Sequence, residues 1–199
     1  MKKQNQFLKS GVLLFGLASA SVFLMLTLAS CNNTKTKDTK EVAEDHNDAK
    51  FTNTKEDDAD FLVSAAEINL EDIQLGKLAQ TRGTSAQVKE LGKMLETEHT
   101  KALADLQALA AKKQITIPTT LTDDGMSANK KLMDTKASDF DKEYADRMVS
   151  GHKDAISKFE KASTDANDAD IRNWASSMLP ALREHLDQTI TVQKQYEKM

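Results

Sequence analysis

The chain has 199 residues and a formal net charge of −4 at pH 7, without an evident basic face, so nucleic acid is not expected as a partner. Its single cysteine excludes an internal disulfide and a zinc site built from several cysteines. Glycine (7) and proline (2) are scarce, while Ala, Leu, Lys, Glu and Asp are abundant, which favours an all-helical fold.

Residues 1–30 have the pattern of a bacterial lipoprotein signal peptide. Lysines lie near the start, an apolar run extends from Gly11 to Leu28, and the box LASC ends at Cys31. We expect cleavage before Cys31 and a diacylglyceryl group on its thiol, with several acyl chains together binding a membrane firmly. The alternative is an uncleaved segment that spans the bilayer, for which the apolar run is nearly long enough.

Asn32 follows the cysteine, where an aspartate would favour the inner membrane. By resemblance to Gram-negative lipoproteins, we expect the protein in the cell envelope, on the outer membrane and facing the periplasm. Residues 31–57 would be the lipidated cysteine and a disordered linker, because this polar stretch has no apolar period to offset its ordering entropy.

From residue 58 to residue 199, apolar residues recur with a period near 3.6, which is typical of amphipathic helices. The limits of four long helices are predicted from capping signals: Asp58 to Arg82, closed by Gly83; a second from the Thr84/Gln87 capping box to about Lys113; a third from Ser138, which has capping spacing with Asp141; and a fourth after the turn at 163–168.

Tight turns join helix one to helix two and helix three to helix four, so both pairs should be antiparallel hairpins. The connection at 114–137 is far longer than a turn requires. Pro118 and Gly125 should interrupt helix there, with a short helical piece at 127–133. A ferritin-like four-helix bundle, with a long crossover between helices 2 and 3, has this organisation. The alternative is an up-and-down bundle with a long loop.

Three of the four histidines fall on inward stripes, one per helix: His99, His152 and His185. Asp72 occupies the matching position on helix one. Imidazoles in an apolar core are costly unless bonded, and three of them with a carboxylate suit one zinc, iron or copper ion. The alternative is a structural network in which the histidines form hydrogen bonds with Asp72, Tyr144, Thr189 or the backbone.

Two further features lie near these histidines. Glu96 and His99 have the ExxH spacing that di-iron bundles use twice, but it occurs once here, so a di-iron centre is not expected. Glu96 would then support the site or simply face solvent. Pro180 should bend helix four just before His185, either re-aiming that ring or only letting the helix wrap the bundle.

Several segments resemble the bacterial domain of unknown function 4142 (DUF4142) family: AAEINLEDIQLGKLA, ETEHT, FDKEYADRMVSGHKDAI and LPALREHL. The likeness covers about residues 58–196. It implies a ferritin-like fold and an outer-membrane location, and it has no settled activity to transfer. The family pattern picks out these positions: His99, Phe140, Asp141, Tyr144, His152, Pro180 and His185. At Asp72 the family usually has glutamate, whose side chain reaches farther.

These features predict a lipid-anchored envelope protein that binds a metal ion or another ligand through its inward histidines. No catalytic serine or cysteine constellation is present, and we name no catalytic residue. One alternative is a non-catalytic structural lipoprotein whose histidines form a buried network, and another is an enzyme with a mononuclear metal. The expected partners are the membrane and either an envelope protein or a second copy of the chain.

Overall fold

The computed structural model describes residues 37–52 and 54–196, and these ranges confirm the all-helical prediction. Six helices are present in them: α1 (Thr39–Asp48), α2 (Thr54–Arg82), α3 (Ala86–Lys113), α4 (Asp123–Asp134), α5 (Ala137–Asp165) and α6 (Ala169–Tyr196). None of these helices is both long enough and apolar enough to span a bilayer. The predicted signal peptide and Cys31 lie outside the described residues.

The four long helices pack side by side as two hairpins. Helix α2 packs along α3 and α5 along α6, while α2 also contacts α5 and α3 contacts α6. Lys113, at the end of α3, pairs with Asp168 just before α6, whereas Asp141, near the start of α5, binds the turn after α2. The connection from α3 to α5 therefore runs from one end of the long helices to the other.

Each hairpin turn is held by a buried aspartate from the other hairpin. Asp58 accepts the backbone N–H groups of Asn167 and Asp168, at 2.7 and 2.8 Å. Asp141 accepts those of Thr84 and Ser85, both at 2.8 Å. The spacing between the two aspartates equals the spacing between the two turns, so the two hairpins hold each other through equivalent contacts.

Two of the predicted helix caps are wrong. Ser85, not Thr84, caps α3, since the Ser85 side chain accepts the N–H of Val88. Thr84 instead donates its hydroxyl to Asp141 at 2.6 Å. Helix α5 begins after Lys136, whose side chain has no acceptor to cap it, so the predicted cap residue Ser138 lies inside the helix.

Two glycines also differ from expectation. Gly83 follows α2 as predicted, but its φ is not positive; a Cβ there would lie 2.6 Å from the carbonyl oxygen of Ala79, so close packing requires the glycine. Gly125 does not interrupt a helix. It lies in the first turn of α4, where its N–H is capped by the hydroxyl of Thr122.

The predicted disordered linker at 31–57 is wrong for much of its described part, because residues 39–48 form α1 and α2 already begins at Thr54. Helix α1 packs against α2. Its buried Asn47 exchanges two hydrogen bonds with the backbone of Thr116, both 2.8 Å long. Bonds between polar side chains and distant backbone groups therefore order a segment that has little apolar surface to bury.

Two apolar clusters form the core at different levels of the long helices. One contains Leu62, Leu106, Phe159 and Leu182, among others; the second contains Leu75, Leu95, Met148 and Val192, among others. On each long helix, the predicted site residue lies between a member of one cluster and a member of the other. Asp72, His99, His152 and His185 thus form a polar layer between two apolar ones.

Candidate metal centre

The structure brings the three predicted histidines together in the core. Their ring centroids are 5.2 to 5.6 Å apart, so the rings form a nearly equilateral triangle. His99 on α3 is 3% exposed, His152 on α5 is 1% and His185 on α6 is 3%. We call these three residues the histidine cluster.

His99 has a defined tautomer because of its partner on α2. Its Nδ1 lies 3.0 Å from the side-chain oxygen of Asn69, and the Asn69 amide nitrogen donates to the carbonyl oxygen of Ala65 at 2.7 Å. The Asn69 oxygen therefore faces the ring, and Nδ1 of His99 must donate the proton. The Nε2 atom of His99 is left with its lone pair.

The other two rings are oriented in the same manner. His152 Nδ1 donates to the backbone oxygen of Met148 at 2.9 Å, and His185 Nε2 donates to the Glu98 carboxylate at 2.8 Å. The remaining nitrogen of each ring in the cluster is buried and accepts no hydrogen bond from the described residues. Each histidine thus presents one buried lone pair.

The spacing of the three rings suits a shared ion. Each ring can offer one nitrogen so that all three atoms lie within 4.8 Å of one another. A centre shared by atoms with that spacing lies about 2.8 Å from each, against about 2.1 Å for a Zn–N bond. Small ring rotations would therefore bring all three nitrogens to bonding distance.

Asp72 approaches the cluster from α2. Its Oδ2 lies 3.4 Å from Nε2 of His99, but the geometry is not that of a hydrogen bond. A carboxylate oxygen and an imidazole lone pair that face each other repel unless a proton or a cation lies between them. Of the three rings, Asp72 lies close to that of His99 only. Its side chain would therefore have to move to bind an ion shared with His152 and His185.

Burial favours the neutral form of His99 and of His185. It lowers the pKa of His99 to about 4, because the attraction of Asp72 for the charged form does not offset desolvation and the neighbouring rings oppose protonation further. Burial also lowers the pKa of His185, despite its hydrogen bond to Glu98. Both rings therefore carry a free lone pair at neutral pH, which is the form that binds metals.

The sequence model of a family described as "Domain of unknown function (DUF4142)" matches residues 41–192. The chain belongs to the DUF4142 family. The DUF4142 match begins inside α1 and ends inside α6. It starts earlier than the likeness predicted from about residue 58, so it also covers most of α1. No curated protein and no solved structure matches the chain.

The three residues predicted to support the site in this DUF4142 chain differ in where the structure places them. Tyr144 is fully buried, and burial together with the charge of Asp72 raises its pKa, so its hydroxyl stays a donor. Glu96 accepts a hydrogen bond from Gln80 at 2.6 Å and does not belong to the compact cluster. Pro180 is exposed within a continuous α6 and lies outside the cluster.

Sequence reasoning missed the two side chains that orient the rings of the DUF4142 cluster. Asn69 was visible as a polar residue on the inward side of α2, one turn before Asp72, and it is 3% exposed. Glu98 precedes His99 and offered no signal, because an exposed acidic residue on a helix is ordinarily solvated. Its bond to His185 depends on how α3 and α6 pack.

Proposed function

We propose that the protein binds one transition-metal ion through His99, His152 and His185, with Asp72 as a fourth ligand. One observation carries this proposal: each ring donates one N–H to a protein acceptor and keeps a buried, unbonded nitrogen. Outer acceptors of this kind orient histidines in metal sites. Three imidazoles and a carboxylate suit zinc, iron or copper.

A purely structural network explains the cluster less well. A network that serves stability satisfies its buried polar atoms, because an unpaired acceptor in the core costs about 1–3 kcal/mol. Here the three bonds satisfy only one nitrogen of each ring, and the other nitrogen stays buried without a partner although the three rings lie against one another. An ion at the centre would satisfy all three nitrogens at once.

The fold that we propose for this site is a ferritin-like four-helix bundle. Its support is the connectivity: two hairpins of long helices, joined by one connection that runs from end to end and contains α4. Di-iron members of that class use two ExxH motifs. Because Glu96 is engaged with Gln80, we propose a mononuclear site and assign no catalytic residue.

Metal analysis tests the proposed site. The protein is purified in detergent without a polyhistidine tag, reconstituted with zinc, iron or copper, and freed of excess ion. We expect about one equivalent of at least one metal, and none in His152→Leu. His46→Ala is the matched control, since His46 is exposed on α1, and it should bind like the wild type. Absence of bound metal in the wild type after all three reconstitutions contradicts the proposal.

We also propose that the lipid predicted on Cys31 holds the protein at the outer membrane, facing the periplasm. Residues 32–38 separate Cys31 from Thr39, the first residue of α1. A chain of that length reaches at most about 28 Å. The anchored domain would therefore stay close to the membrane, unlike a domain on the long disordered tether that the sequence suggested.

Changing Cys31 to Ala tests the anchor. Without a thiol to receive the diacylglyceryl group, we expect the protein to move from the membrane fraction to the soluble fraction, as measured by fractionation and immunoblotting. Retention of the Cys31→Ala protein in membranes after a carbonate wash would instead support the uncleaved spanning segment. The metal content of the soluble variant should equal that of the wild type.

A further inference from the structure

Two surface cavities reach the polar layer, one on each side of the paired hairpins. The α3–α6 cavity has a volume of about 310 Å³ and is bounded by His99 and His185, with Asn69 and Glu98 beside them. The α2–α5 cavity has a volume of about 250 Å³ and is bounded by Asp72 and Gly151. Both are candidates for the path by which an ion reaches the buried cluster.

The α3–α6 cavity is poorly suited to a cation. It meets Asn69 and Glu98, the two groups that already accept the N–H protons of His99 and His185. Much of its remaining wall is apolar and includes Phe159, Trp174, Met178 and Leu182. A cation that entered here would lose hydration against apolar groups before it met a free lone pair.

The α2–α5 cavity is lined mainly by charged side chains rather than apolar ones. Of its acidic side chains, Glu67 is paired with Lys40 at 3.0 Å and Glu71 is paired with Arg147. Three more carboxylates line it and form no ion pair with lysine or arginine in the described part of the chain: Asp72, Asp124 and Asp154. Lys158 also lines the cavity and donates to Ser64 rather than to a carboxylate. The five carboxylates still outnumber the three cationic side chains of the lining, and this excess of negative charge favours a cation.

Asp72 links this cavity to the cluster. Its side chain is 9% exposed and lies 3.4 Å from the free nitrogen of His99. Among the residues that the structure describes, none donates a hydrogen bond to it. A buried carboxylate without a donor is costly, and one that borders both the cavity and His99 is placed to receive an ion from the first and pass it to the second.

Gly151 gives independent support. It lies inside α5, where glycine costs about 1 kcal/mol relative to alanine, and a Cβ added there would meet no atom within 4 Å. By contrast, a Cβ at Gly76 would lie 2.6 Å from the carbonyl oxygen of Gly92, so packing of α2 on α3 requires that glycine. No packing requirement explains Gly151, but a side chain there would enter the α2–α5 cavity.

We propose that the α2–α5 cavity is the access site for a divalent transition-metal cation, which binds Asp72 first and then the three histidines. This inference rests on the proposed function of the histidine cluster. Water molecules of the hydrated ion would be replaced stepwise, first by the Asp72 carboxylate and then by the imidazole nitrogens. Gly151 keeps the path open.

The test is the rate at which the metal-free protein takes up cobalt(II), followed by stopped-flow absorbance of the cobalt–histidine band. The whole protein in detergent is used. We expect Gly151→Leu to slow uptake at least 10-fold and to reach the same final spectrum. Gly151→Ala, which adds only a methyl group, should slow uptake much less. Ala181→Leu narrows the α3–α6 cavity and should leave the rate within twofold of wild type.

Each outcome is decisive. If the wild type gives no cobalt band, the proposed metal function and the access site fall together. If all variants bind at one rate, or if Ala181→Leu alone is slow, the metal site stands and the α2–α5 path is wrong. A changed final spectrum in Gly151→Leu would mean that Gly151 shapes the site rather than the path, which also overturns the inference.

Discussion

Saturating zinc should raise the melting temperature of the wild-type protein by about 10 °C and leave that of His152→Leu unchanged. An ion that binds only the folded state stabilises it by about 4 kcal/mol at a thousand times its dissociation constant. For a domain of this size, each kcal/mol shifts the melting temperature by about 2–4 °C. Circular dichroism with zinc or with a chelator measures both temperatures.

The metal-free samples separate the proposed site from a structural network. Leucine fills about the same volume as histidine and removes a buried nitrogen that has no partner. Without the His152 ring, the Met148 carbonyl still accepts its backbone hydrogen bond within α5. We therefore expect the unfolding free energy of the metal-free protein, measured in chelator, to change by less than about 1 kcal/mol. An equal loss of stability with zinc and with chelator would contradict the metal proposal. His46→Ala should match the wild type in both.

The fold was largely predictable because it depends on periodicity. The 3.6-residue period predicted the helices observed as α2, α3, α5 and α6, and the long connection between the hairpins followed from loop length. Helix α1 escaped prediction because its order depends on Asn47 meeting Thr116, far along the chain. A search for apolar stripes detects burial, whereas it does not detect a polar side chain whose partners are brought to it only by folding.

The candidate site was predictable to the level of the rings and no further. The stripe placed His99, His152 and His185 inward, but which nitrogen is bonded depends on how neighbouring helices are aligned. The ExxH spacing does not bring Glu96 into the cluster, for a geometric reason: residues three apart differ by about 60° around a helix. That offset leaves His99 in the core and turns Glu96 towards Gln80 of α2.

Replacing Asp141 by Asn should destabilise the protein by about 3 kcal/mol at pH 7, whether or not metal is present. The carboxylate accepts hydrogen bonds from the N–H and hydroxyl of Thr84, the N–H of Ser85 and, at 3.1 Å, the hydroxyl of Tyr196. Bonds to a charged acceptor contribute about 1.5–3 kcal/mol each. Asparagine keeps one oxygen but turns an N–H₂ group towards other donors. Urea unfolding in chelator measures the loss.

The effect of Asp141 should also depend on pH in a defined direction. Burial alone would raise its pKa, but the hydrogen bonds from Thr84, Ser85 and Tyr196 outweigh burial, so the pKa falls below its usual 3.8. Because the folded value lies below the unfolded one, the stabilisation is complete above about pH 4 and is lost as pH falls through the folded value. The free-energy difference between wild type and Asp141→Asn should therefore shrink as the pH falls below about 4.

Asp139 provides the control for Asp141. It lies two residues earlier in α5, it is exposed, and its carboxylate accepts a hydrogen bond from its neighbour Ser138. Exposed groups of this kind contribute little to stability, so Asp139→Asn should change the unfolding free energy by less than about 0.5 kcal/mol. If the two variants were equally destabilised, or if the loss in Asp141→Asn did not shrink as the pH fell below about 4, the carboxylate would not be what holds the α2–α3 turn to α5.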